Sequence, residues 1–165
     1  MRPDLHPDMD LTSLPMTFQS VIPEKYMDEM GHMNVACYTH IFTQSMGGML
    51  EMFGLSMEFI EREQIGGAAL EAHIHYLAEV MEGDQVKIYT RLVNRTEKRI
   101  HNVHFMWNES RNQVAALFEG VMACFDLKAR KMSAIPEGIC SRIDPMLDTH
   151  QALLWPVPVC GVMQA

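Results

Sequence analysis

The chain has 165 residues, 48% of them hydrophobic and 21% charged, enough for one buried core and too few for two ordinary domains. Its 13 basic and 21 acidic residues leave a net charge of -8 with no Lys/Arg block, which speaks against a nucleic-acid partner. The start, MRPDLHPDMD, is acidic and proline-broken, and no apolar run reaches the roughly 20 residues that span a bilayer, so no signal peptide or membrane segment is expected and the chain is placed in the cytoplasm.

Residues 1 to 15, rich in Pro and Asp, read as a flexible arm. MTFQSVI, residues 16 to 22, alternates as a strand does, and Pro23 ends it. From 34 to 53 the apolar residues Val35, Tyr38, Phe42, Met46, Met49 and Phe53 recur at three and four, the spacing of one face of a long helix. Gly47 and Gly48 in its middle each cost about 1 kcal/mol relative to Ala, so their presence predicts a close approach by another backbone. Residues 56 to 64 predict a short second helix, stopped by the pair Gly66-Gly67. The period then changes to two. Strands are predicted over 68 to 78, 85 to 93, 99 to 107 and 113 to 127, separated by the turn signals EGD, NRTEK and ESRN, whose shortness makes the neighbours antiparallel. The proline-rich tail from Ser133 predicts at most a short helix near 136 to 148.

One strand, one long helix and four more strands make an α+β fold, a five-stranded antiparallel sheet wrapped around a single helix. The expected layout is an arm over 1 to 15, a domain over 16 to 137 and a C-terminal extension over 138 to 165 packed on it. So few elements leave sheet edges and apolar faces uncovered, which predicts a homodimer or a dimer of dimers.

YMDEMGHMNVACY, residues 26 to 38, places an acid, a glycine, a histidine, an asparagine and a tyrosine in the loop leading into the long helix. Together with YLAEVMEGDQV (76 to 86) and DLKARKMSAIPE (126 to 137), in this order and spacing, it resembles the hot-dog-fold acyl-CoA thioesterases of the hydroxybenzoyl-CoA thioesterase-like branch, from about residue 17 to 137. The resemblance implies that Asp28, three residues before Gly31, is the catalytic carboxylate and that Val35 supplies the backbone N–H for the oxyanion. Many relatives carry a second acid two residues earlier, where this chain has Tyr26. Within the branch, GHMN, LEAHIHYLAEV with EGD, and KRIH at 98 to 101 resemble betainyl-CoA thioesterases, which implies a short acyl group with a quaternary ammonium. Such a cation is held by aromatic faces and nearby acids; Trp107, Phe105, Tyr38 and Tyr76 are candidate faces and Glu71 a candidate acid. Methionines such as Met30, Met33 and Met49 lining a slot for ordinary acyl chains are the alternative.

The chemistry fits these positions. Thioester hydrolysis needs a nucleophile or a base for water and a donor for the oxyanion. Asp28 offers the first, and a helix N-terminus, with unpaired N–H groups and partial positive charge, offers the second. Asn34 is a natural N-cap, Gly31 permits a tight turn, and His32 orients Asp28 or the substrate. Simpler roles compete: Asp28 as solvated charge, Tyr38 as core, Glu71 as an outward salt-bridge partner. Arg95, Lys98 and Arg99 in a turn suit coenzyme A phosphates, or plain solvation. His73, His75, His101 and His104 with Glu71 raise a metal site, but they show no HExxH or paired spacing; no metal and no cofactor is expected. Cys37, Cys124, Cys140 and Cys160 form no CxxC pair and suit reduced, buried thiols. The rival functions are a non-catalytic acyl-CoA-binding protein and a hydratase of unsaturated acyl-CoA.

Overall fold

The computed structural model describes Pro3 and residues 5 to 165. Strand β1 (Met16–Val21) is followed by helix α1 (Val35–Met52), helix α2 (Met57–Glu63), strands β2 (Ile65–Tyr76), β3 (Gln85–Arg95), β4 (Arg99–Asn108) and β5 (Gln113–Asp126), a two-residue β6 (Lys131–Met132) and helix α3 (Glu137–Gln151). The strands form one antiparallel sheet in the order β1-β3-β4-β5-β2, with β6 pairing the end of β5. It curls around α1, as the hot-dog resemblance implies.

Asn34 starts α1, its Oδ1 accepting the Ala36 N–H at 2.9 Å. Tyr38, Ile41, Phe42, Ser45 and Met49 form the buried stripe; Tyr38, Ile41 and Phe42 meet Ile88, Met106, Ala116 and Phe118 of the sheet, and Met49 packs with Leu92 and Ile100. Only one of the two mid-helix glycines is required by packing. A Cβ on Gly48 would lie 2.2 Å from the Thr17 carbonyl oxygen of β1, whereas one on Gly47 meets nothing within 4 Å. The expected close backbone approach is therefore real at Gly48 alone.

Several expectations are corrected. Among the described residues the N-terminal segment is packed down rather than free; residues 1, 2 and 4 lie outside the described set. Asp10 caps a 3-10 turn over Leu11–Ser13, and Leu11 and Leu14 are buried with Val103, Phe105 and Trp155 on the sheet face away from α1. Helix α2 ends at Gln64, which adopts φ 56, and Gly66 and Gly67 belong to β2. Helix α3 runs 15 residues in spite of Pro145. Its Ile139, Ile143 and Leu147, spaced by four, bury against Leu92, Ile100 and the end of α1, and this packing outweighs the proline. No helix among the described residues is long and apolar enough to cross a membrane.

Two buried histidines couple the fold to pH. His104, fully buried under α1, has its Nδ1 2.9 Å from Ser45 Oγ and 2.8 Å from Thr90 Oγ1, and burial pushes its pKa down to about 3. His150 Nδ1 accepts the Leu92 N–H at 2.9 Å, and burial, helped by the Arg91 charge, pushes its pKa down to about 4. Both are neutral in the folded chain at pH values where an unfolded histidine, with pKa about 6.5, is protonated. The unfolded state thus binds more protons, and stability falls as pH drops from about 6.5 towards 4. The urea midpoint is expected to decline steadily over this window. A midpoint unchanged between pH 7 and 4.5 would contradict it.

Candidate active site

The segment between β1 and α1 folds back on itself. Met27 and Met33 form an isolated antiparallel bridge, the Asp28 N–H donates to His32 O at 2.9 Å, and the Gly31 N–H donates to Asp28 O at 3.1 Å. Gly31 closes this turn with φ +84, a value that L side chains rarely adopt. The Met33 N–H donates to Val80 O and the Asn34 N–H to Tyr26 O, each at 2.8 Å, so the loop is anchored to the segment after β2.

This anchoring fixes the Asp28 carboxylate. Its Oδ1 accepts the Met30 N–H at 2.8 Å, and its Oδ2 lies 3.2 Å from His32 Nδ1, the side chain remaining 24% exposed and so open to water. Val35 begins α1, and its N–H donates to no acceptor among the described residues. A carboxylate and a free N–H at the positive end of an 18-residue helix share one cleft of about 430 Å³. Its wall is formed by Asp28, His32, Val35, Tyr38, Tyr76 and Glu79.

Tyr38 is both core and wall. It is 5% exposed, packs its ring edge-on to Tyr76 with centroids 5.1 Å apart, and points its hydroxyl at Ala78 O, 3.4 Å away. Burial pushes its pKa up to about 12, which keeps the phenol protonated and the cleft free of a phenolate. Glu79 has no counterpart among the residues singled out from sequence. The hydrogen bond of the Met33 N–H to Val80 O brings this acid beside the N-terminus of α1, a placement with no signal in the sequence.

The other candidates lie elsewhere in the chain. Glu71 is exposed on β2 beside the register shift after Ala69. Trp107 and Phe105 face away from α1, with Phe105 against Trp155 and Trp107 beside the N-terminal segment, and neither lines the cleft. Arg95 is held by both carboxylate oxygens of Asp144. Lys98 and Arg99 sit at the far end of the sheet: Arg99 pairs with Ala123 and Tyr76 with Ala116, seven residues apart along β5, or about 23 Å at the usual rise. His101 and His104 are buried, His101 with its Nε2 2.8 Å from Glu119 Oε1.

The profile of the thioesterase-like superfamily matches residues 22–143. The chain belongs to that superfamily. Among curated proteins this thioesterase is similar to the betainyl-CoA thioesterase of Pseudomonas aeruginosa, 25% identical over 142 residues that make up 86% of this chain and 88% of that protein. It is also similar to the L-carnitine dehydrogenase/betainyl-CoA thioesterase of a Rhizobium species, 27% identical over 79% of this chain, and spans only 26% of that longer protein. A Staphylococcus aureus protein solved in complex with CoA shares its fold with a TM-score of 0.82, 22% identity, and coverage of 92% of this chain and 96% of that one.

Proposed function

We propose that this thioesterase hydrolyses the thioester of a short acyl-CoA in the cleft between Asp28 and the N-terminus of α1. What carries the reading is the pairing of a water-accessible carboxylate with the unpartnered Val35 N–H on the wall of one cleft. Asp28 either attacks the thioester carbonyl, giving an acyl anhydride that water then opens, or takes the proton of an attacking water. In both routes the carbonyl oxygen gains negative charge, and the Val35 N–H and the helix dipole stabilise it. His32 and the Met30 N–H hold the carboxylate in one orientation, and the CoA thiolate leaves.

The acyl group we favour carries a quaternary ammonium. Tyr38 and Tyr76 present aromatic faces and Glu79 a carboxylate on the same wall, a combination that attracts a cation with no proton to donate. The Pseudomonas aeruginosa relative, named for betainyl-CoA, supports the same choice. The discriminating substrate is isovaleryl-CoA, nearly isosteric and uncharged. Each aromatic face contributes about 0.5–2 kcal/mol, so thiol release is expected to show kcat/KM for betainyl-CoA at least about tenfold above that for isovaleryl-CoA. Equal or higher kcat/KM for isovaleryl-CoA would remove the cation site while leaving thioester hydrolysis intact.

The 12-residue β2 forms one edge of the sheet, and an edge of that length pairs readily with a second copy. Lys98 and Arg99 make no ion pair among the described residues, and their distance from the cleft in one chain suits contact with coenzyme A bound to a partner copy. The smallest active species is accordingly a dimer. Light scattering that finds a fully active monomer at assay concentration would refute this.

A further inference from the structure

The outer face of the sheet, away from α1 and the cleft, carries a second cluster of chemically active side chains. His73 of β2, Glu119 of β5 and Cys160 of the C-terminal segment bring one nitrogen, one oxygen and one sulfur within 4.8 Å of one another. His75 follows two residues after His73 on the same strand face, their rings 4.3 Å apart. A cavity of about 460 Å³ opens beside His73, His75 and Cys160.

Glu119 is 3% exposed, an expensive position for a carboxylate without positive charge beside it. Its orientation is fixed twice: His101 Nε2 lies 2.8 Å from Oε1, and the Cys160 N–H donates to Oε2 at 2.7 Å. Carboxylates that bind metals are held in this manner by outer partners. We propose that His73, Glu119 and Cys160 bind one divalent transition-metal ion, zinc foremost, with His75 or water completing the shell, and that the ion ties the C-terminal segment to the sheet. The mixed donor set selects zinc or cobalt over magnesium or calcium, which take oxygen ligands. In a tetrahedral zinc site such donors lie about 3.3–3.6 Å apart, so no pair has more than about 1.5 Å to close, a distance within side-chain rotation. On binding, the Cys160 thiol gives its proton to solvent and its sulfur bonds the ion, which makes affinity rise with pH.

An ion here would clamp the segment that carries Trp155 and Val157 over Val103, Phe105 and Leu117. The spread of its ligands over β2, β5 and the tail explains why no sequence spacing announces it. The test uses the untagged, chelator-treated full chain, titrated with Co²⁺ under reducing conditions. One equivalent is expected to bind with a thiolate-to-cobalt charge-transfer band, and Zn²⁺ to displace it. Cys160→Ser should abolish the band and weaken binding at least tenfold, and His73→Ala should weaken it similarly. Both positions are partly exposed, so the metal-free variants are expected to keep the parent Tm, and Zn²⁺ should raise Tm in the parent but not in Cys160→Ser. Absence of the band in the parent, its persistence in Cys160→Ser, or an equal rise in Tm in both would overturn the proposal.

Discussion

Asp28→Asn is expected to lower kcat for thioester hydrolysis by about 10²–10⁴-fold, the range that a positioned base or nucleophile supplies. The amide keeps the shape of the carboxylate, and its oxygen still accepts the Met30 N–H that now bonds Asp28 Oδ1 at 2.8 Å. What disappears is the negative charge that attacks the carbonyl or takes a proton from water. Tm should remain within a few degrees of the parent, because Asp28 is partly exposed and no buried cation depends on it. KM should change little if the carboxylate acts mainly on the transition state. Turnover within a few-fold of the parent would remove Asp28 from the chemistry.

Gly48→Ala should produce the largest loss of stability of any single methyl added to the chain's helices. The new Cβ would lie 2.2 Å from the Thr17 carbonyl oxygen, far inside van der Waals contact, and the atom it meets is backbone that cannot rotate aside. Strand β1 must shift, together with the contact between Thr17 and Ser45, whose hydroxyls lie 2.6 Å apart. Overpacking of this kind costs about 3 kcal/mol, or about 6–12 °C in Tm for a domain of this size. Gly47→Ala is the internal control. With open space around it, the same methyl should be neutral or stabilising by up to about 1 kcal/mol through helix propensity alone. Equal Tm values for the two variants would show that β1 does not press on α1 at Gly48.

The neighbouring pair shows where sequence reasoning reaches and where it stops. Helix α1 was legible because its apolar positions keep the 3.6 period and Asn34 marks its start. Close approach by a backbone was legible from two adjacent glycines, but which glycine met it was not, since that depends on where β1 crosses. The four long strands were legible from their alternation and short turns. Their order, β1-β3-β4-β5-β2, was not, because antiparallel pairing by itself does not say which edge the next strand joins. The side on which Trp107 lies was hidden for a specific reason: nearly every residue of β4 is buried, so the period of two carries no contrast between inside and outside. Helix α3 was legible only as a short helix near 136 to 148, because the prolines around it mask how far it runs, and their local cost is offset by burial of Ile139, Ile143 and Leu147.

The candidate site divides along the same line. Asp28, Gly31, His32, Asn34 and Val35 are contiguous in sequence, and a short turn keeps them together whatever the rest of the chain does. Glu79 and Tyr76 join them through the hydrogen bond of the Met33 N–H to Val80 O and the contacts of Tyr38 with Tyr76 and Ala78, made between segments far apart in the chain that no local pattern encodes. The cluster of His73, Glu119 and Cys160 is the extreme case, three strangers in sequence made neighbours by the sheet and the tail.

The central claim is that the thioester carbonyl lies between Asp28 and the start of α1. It is tested most directly by a crystal structure of Asp28→Asn bound to betainyl-CoA. The account predicts the carbonyl oxygen within hydrogen-bonding distance of the Val35 N–H, the carbonyl carbon facing residue 28, and the trimethylammonium group against Tyr38, Tyr76 and Glu79. A carbonyl bound away from both Val35 and residue 28 would contradict it.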